Sequence, residues 1–164
     1  MLGKTKQNPL EPGFPLEELI AQEEKYVFDQ FTQADARRLG EIMFSICDEF
    51  QMAFGFEICL NGMIVFKYMP EGSGRMNDVW MEKKLNTVLL TGWSTMRLWA
   101  LQESIGIKRN PTLVPESEYV VCGGGFPIRV KGAGVIGALI CSGPGDQNDH
   151  EFLIEALKRF FGEK

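Results

Sequence analysis

A single histidine, His150, is all the imidazole that 164 residues contain. That scarcity excludes any Ser-His-Asp triad, multi-histidine metal site or Cys-His dyad that does not use this one ring. Cysteine is sparse as well. Cys47, Cys59, Cys122 and Cys141 lie in or beside apolar segments without a C-x-x-C pair or secreted-domain spacing, and they read as reduced thiols of a cytoplasmic protein. No apolar run approaches the ~20 residues of a membrane span, so no membrane association is expected. Basic residues are outnumbered: 17 Lys and Arg against 22 Asp and Glu give a formal charge of -5, with no basic stripe for a phosphate backbone. Nucleic acid is therefore excluded as an expected partner. Paired carboxylates for acid–base work, metal-ligand clusters and a Walker loop are missing too, and no catalytic residue is nominated.

What is present fills one domain. Prolines at 9, 12 and 15 occupy the place of a signal peptide's apolar core, so residues 1–15 are expected to form a flexible tail and residues 16–164 a single domain. Residues 16–30 carry a moderate helical pattern. Thr32 and Asp35 open a second helix with a capping-box spacing, and Leu39, Ile42, Met43, Ile46, Cys47 and Phe50 recur at helical intervals behind them. Two strand-like runs, 54–60 and 63–68, flank Asn61-Gly62, which predicts a hairpin with a type I′ turn. Asn77 or Asp78 can cap a third helix, Gly92 interrupts it, and a further helix spans about 94–104. Tyr119 to Cys122 is expected to begin a third strand, and 126–130 and 135–141 supply the fourth and fifth. A last helix with N-caps among 146–149 carries Phe152, Leu153, Ala156, Leu157, Phe160 and Phe161 on one face. The sum is an α+β domain: a roughly five-stranded, mainly antiparallel sheet with helices packed on its faces.

The stretch 121–143 contains Gly132-x-Gly134-x-x-Gly137, which matches the dinucleotide-binding fingerprint. That fingerprint works only where the glycines open a helix that receives a pyrophosphate. Here strand formers follow, and Gly143-Pro144-Gly145 comes too soon for a helix, so a Gly-rich hairpin at 131–134 is expected instead. Other groups are candidates for binding. Trp80, Lys83, Lys84 and Thr87 fall on one helical face, where an indole and ammonium groups suit a planar anion, unless the lysines are simply solvated around a half-buried ring. Gly123, Gly124 and Gly125 permit close approach to a ligand or a sharp bend, and Pro127 suggests an edge or a bulge. Arg129 offers a cation for a carboxylate. His150 is either a surface residue in a first helical turn or a ligand for a cofactor, and Cys122 either a reactive thiol or an inert buried one.

Three ordered blocks then take on a meaning together. Asn77-Asp78-x-Trp80-x-x-Lys83-Lys84-x-Asn86-Thr87-Val88, Gly124-Gly125-Phe126-Pro127-Ile128-Arg129-Val130-x-Gly132-x-Gly134-Val135-x-Gly137, and Ser142-Gly143 with Asp149-His150 resemble the haem-degrading GlcG/HbpS-like family, from about Leu16 onward. The resemblance implies a profilin-like α/β sandwich with a five-stranded antiparallel sheet, assembly into homo-oligomers, and tetrapyrrole binding with haem as the candidate cofactor. It implies ligand contacts from Asn77, Trp80, Lys83, Lys84, Asn86, the Gly123–Gly125 run, Arg129 and His150. Members commonly have histidines where this chain has Trp93 and Cys122, which leaves His150, with Cys122 or a methionine as soft alternatives, as candidate metal ligands. A role of the haem-binding or haem-degrading type is the expectation, with binding ranked ahead of catalysis, the alternative being an oligomeric structural or interaction module without a small ligand.

Overall fold

The computed structural model describes residues 13–107 and 115–163. Five helices and five strands follow in the order α1 (Leu16–Lys25), β1 (Val27–Phe28), α2 (Gln33–Phe50), β2 (Gly55–Leu60), β3 (Met63–Tyr68), α3 (Arg75–Thr91), α4 (Thr95–Ser104), β4 (Gly125–Val130), β5 (Gly134–Ser142) and α5 (Asp146–Phe160). The strands form one sheet in the order β1-β4-β5-β2-β3. Only the short β1–β4 pairing is parallel, so the sheet is mixed but mainly antiparallel. Helices cover both faces. Strand alternation sends Leu139 and Cys141 toward α2 and α5, while Ala138 and Ile140 pack under Met81 and Val88 of α3. A third apolar cluster ties α1 to α4 through Leu19, Met96, Trp99 and Ala100, with Val121 sealing it.

The local rules explain most boundaries. Thr32 Oγ1 accepts the Asp35 N–H at 3.3 Å and the Asp35 carboxylate accepts the Thr32 N–H at 2.8 Å, which completes the expected capping box of α2. Asn61 and Gly62 have φ of 49° and 81°, both positive as a type I′ turn requires. The α3 start lies earlier than its expected caps: Gly74 is the N-cap, and Asn77 sits at the third position, where its Oδ1 accepts the Gly74 N–H at 3.0 Å. Gly145 likewise precedes the candidate caps of α5, without a side-chain cap of its own.

Two expected elements change. The helix expected over 16–30 stops at Lys25, because Tyr26 and Phe28 are both buried and alternate with Val27, a period of two that a strand satisfies and a helix does not. The segment 119–122 is not a strand; its backbone is held by side chains of α3, described below. The Gly-rich hairpin stands as expected: Gly132 and Gly134 have φ of 74° and 79°, and Gly137 lies inside β5 opposite Leu60. Pro127 of β4 pairs only with β5, since the two-residue β1 reaches no further than Arg129, and a register shift follows at 128–129. Of the expected tail, residues 1–12 lie outside the described residues, and Phe14 packs against the α1–α4 cluster.

Candidate functional site

Helix α3 works as a rack of polar side chains. Lys83 Nζ donates to the Glu116 carbonyl at 2.9 Å, Asn86 Nδ2 donates to the Glu118 carbonyl at 2.9 Å, and Thr87 Oγ1 accepts the Val120 N–H at 3.0 Å. These bonds do for the 115–121 segment part of what a strand ladder would otherwise do, satisfying main-chain groups at 116, 118 and 120. Nearly two turns earlier, Asn77 Nδ2 donates to Ser142 Oγ at 3.3 Å and so ties the start of α3 to the end of β5. Between these anchors a cavity of about 500 Å³ opens where β5 hands over to α5. Its walls are Trp80 and Lys83 from α3, residues 116 and 119–122, and the turn from Ser142 to Asp146.

The cavity floor is charged and buried. Lys84 and Asp149 are 2 % and 3 % exposed, yet Lys84 Nζ donates to Asp149 Oδ2 and to the Cys141 carbonyl, each at 2.8 Å. Burial pushes Asp149 up to about 6, against the pull of the Lys84 ammonium. Burial works to lower Lys84, but the Asp149 charge outweighs it and holds the amine above its ordinary value. Cys141, whose Sγ donates to the Asp149 carbonyl at 3.0 Å, is raised by burial and stays a thiol. At the mouth, Trp80 is 41 % exposed with the Lys83 ammonium 5.7 Å from its ring centroid, a cation–π arrangement.

Of the candidates read from the sequence, Trp80, Lys83, Lys84 and Cys122 line this cavity. The others have neighbours elsewhere. Asn77 and Asn86 make the anchoring bonds just given. A Cβ on Gly123 would lie 1.7 Å from the Asp146 carbonyl oxygen, and Gly124, at φ 101°, has the Cys141 carbonyl and Lys84 Nζ where its Cβ would be. The glycine run therefore lets the chain pass between α5 and α3. Gly125 donates its N–H to Thr95 Oγ1 at 3.0 Å. Arg129 donates to the Gly92 carbonyl at 2.9 Å, on the far side near Arg97, which stacks on Trp93 with its guanidinium carbon 4.4 Å from the ring centroid.

His150 is neither a surface residue nor a cavity residue. It is fully buried, with Nε2 donating to Gln22 Oε1 at 2.8 Å and its ring edge-to-face with Phe14 at 5.0 Å. It directly follows Asp149, and the ~100° that one helical residue turns sends Asp149 to the cavity and His150 to α1. The floor carboxylate and Ser142 were among the members that sequence reasoning did not nominate. Both stood inside the quoted blocks, as the neighbour of His150 and in Ser142-Gly143.

The family model for haem-degrading HbpS-like proteins matches residues 31–158, so the chain belongs to the HbpS-like family. A UPF0303 protein of Streptomyces coelicolor is similar at 33 % identity over 148 residues, covering 89 % of this chain and 93 % of the relative. Among solved structures, the Ybr137w protein superposes with a TM-score of 0.82 at 27 % identity, covering 93 % of this chain and 91 % of that one. The PduOC–haem complex shares the fold, with a TM-score of 0.60 at 17 % identity over 77 % of this chain and 92 % of its own.

Proposed function

We propose that this chain is a small-molecule-binding protein that holds a planar, carboxylate-bearing ligand of the tetrapyrrole class in the cavity between α3, the 115–122 segment and the start of α5. The observation that carries this reading is the half-exposed Trp80 ring with Lys83 beside it at the mouth of a cavity of about 500 Å³. That volume suits a small-molecule site, and an indole face offers stacking worth about 0.5–1.5 kcal/mol beyond area burial. Lys83 is the cation for a ligand carboxylate, because Asp149 already neutralises Lys84. The family and the haem complex of a fold relative favour a tetrapyrrole over other planar anions.

The donor set does not suit a haem iron. The sole imidazole is sealed against Gln22 and Phe14, and the Cys122 thiol, 4 % exposed, donates to the Gly123 carbonyl at 3.4 Å. The proposed role is therefore binding, without a catalytic assignment. It belongs in a reducing, cytoplasmic setting, a placement supported by four unbridged thiols. Titration with haemin and with protoporphyrin IX, followed by ligand absorbance, is expected to show saturable uptake that Trp80→Ala weakens about three- to tenfold. Absence of saturable uptake of any tetrapyrrole would overturn the reading in favour of an interaction module.

A further inference from the structure

We infer that a second binding site, for a small organic monocarboxylate, lies in the concavity between α1, β1, β4 and α4, with Arg129 as the group that takes the carboxylate. It shares no lining residue with the α3 cavity and does not depend on what that cavity holds. Its volume is about 350 Å³, and Glu23, Glu24, Val27, Arg97 and Arg129 surround it. That is the small end of the range for small-molecule sites, about 300–1,000 Å³.

Two guanidinium groups face this space, and they differ in what already holds them. Arg97 has its counter-charge: Nη1 donates to Glu23 Oε2 at 2.8 Å, and the guanidinium lies against the Trp93 ring. Glu23, 3 % exposed, accepts the Ser94 N–H through its other oxygen at 2.8 Å. The one buried carboxylate of the site is thus committed to Arg97 and to the start of α4. Arg129 is half-buried, its Nη2 donates to the Gly92 carbonyl at 2.9 Å, and it forms no ion pair among the described residues. A guanidinium carries five N–H donors and pairs with a carboxylate through two parallel bonds. The Gly92 bond therefore orients the Arg129 fork and leaves donors for an anion that the protein itself does not supply.

The rest of the wall narrows the class of anion. The parallel register pairs Val27 with Arg129, so both side chains stand on the same face of the sheet and Val27 offers apolar contact beside the guanidinium. Glu24 lines the same space from an exposed position and makes no hydrogen bond or ion pair among the described residues. Its charge opposes a second negative charge on the ligand. One uncompensated cation, one apolar neighbour and one carboxylate at the rim suit a singly charged acid with a short hydrocarbon chain. They disfavour a diacid or a phosphate.

The test is a calorimetric titration of the full chain at neutral pH with butyrate, succinate and inorganic phosphate. Butyrate is expected to bind saturably with a Kd of about 1 mM or tighter, ahead of the other two, and to shift the backbone amide resonances of Val27 and Arg129. Arg129→Gln is expected to weaken it about tenfold or more, and Arg129→Lys, which keeps the charge without the fork, about threefold or more, with circular dichroism as the folding control. Glu24→Gln breaks no contact of the fold and is expected to tighten butyrate binding about two- to fivefold. Trp80→Ala, in the α3 cavity, is expected to leave it unchanged. Absence of saturable butyrate binding, phosphate or succinate binding more tightly than butyrate, an affinity unmoved by Arg129→Gln, or one lowered by Glu24→Gln or Trp80→Ala would each overturn the inference.

Discussion

Lys84 carries its charge where almost no water reaches it, and it does so only because Asp149 is 2.8 Å away. Breaking a buried pair by removing one partner typically costs about 3–5 kcal/mol, since the survivor is left charged and unsolvated. Lys84→Met is therefore expected to lower stability by about that amount near pH 7 in chemical denaturation. The sign with pH follows from Asp149, whose folded value of about 6 lies above the 3.8 of a free Asp. Protonation between those values favours the folded state, so this group's contribution is fully present below about 3.8 and is lost as pH rises through about 6. The cost of Lys84→Met is accordingly expected to be smaller near pH 5, where Asp149 is neutral; an equal cost at both pH values would contradict the assignment. The same titration acts on ligands. Beside the Lys84 ammonium from α3 and the Cys141 thiol from β5, with Cys122 and Asp146 also facing it, Asp149 changes charge near pH 6. Affinity for an anion such as protoporphyrin IX is expected to rise below that pH, and to stay flat across it in Asp149→Asn. Backbone contact makes a different demand at Gly123. Gly123→Ala would place Cβ against the Asp146 carbonyl and is expected to prevent folding to the native state, whereas Gly132→Ala, with open space around it and φ of 74°, should cost about 1–2 kcal/mol.

At the scale of elements, α3 is the part that the sequence disclosed most fully and that its physics then reassigned. Trp80, Lys83, Lys84 and Thr87 stood out as one face suited to a planar anion or to solvated lysines around a half-buried ring, and the family resemblance added Asn77 and Asn86 as ligand contacts. In the structure most of those groups face main-chain atoms of neighbouring segments, a need that sequence does not display because the partner backbone has no side-chain signature. Thr87→Val is expected to cost about 1–3 kcal/mol, by leaving the Val120 N–H and carbonyl without their partner, and to speed hydrogen exchange at the Val120 amide. The hairpins were legible because Asn61-Gly62 and Gly132 to Gly134 encode their own positive φ values. The two-residue β1 was not: it exists by courtesy of β4, and Val27–Phe28 alone is too short to announce a strand. His150 was misjudged for a related reason. Its place in a first helical turn suggests exposure, and only the docking of α1 and Phe14 on that turn buries it.

The whole molecule is a five-stranded mixed sheet with helices on both faces, and its membership of the HbpS-like family follows from nearly the entire span of the domain. Among the described residues no helix is long and apolar enough to cross a membrane. Large apolar side chains nevertheless remain on the surface, with Met63 54 % exposed on the outer strand and Met76 68 % and Leu90 56 % exposed on α3. Self-association through such surfaces accords with the oligomers expected for this family, and sedimentation is expected to show a species larger than the monomer that Met76→Lys and Leu90→Lys together reduce in mass. A purely monomeric wild type would remove that expectation and leave the cavity's role untouched. The cavity wall at 115–121 has one further consequence. Because side chains of a single helix hold its main chain at 116, 118 and 120, the width of the opening can be altered by exchanging Lys83 or Asn86 while Val121 keeps its place in the core. Descendants of this fold thus have a means of changing what they admit, one hydrogen bond at a time, on a scaffold that need not change with it.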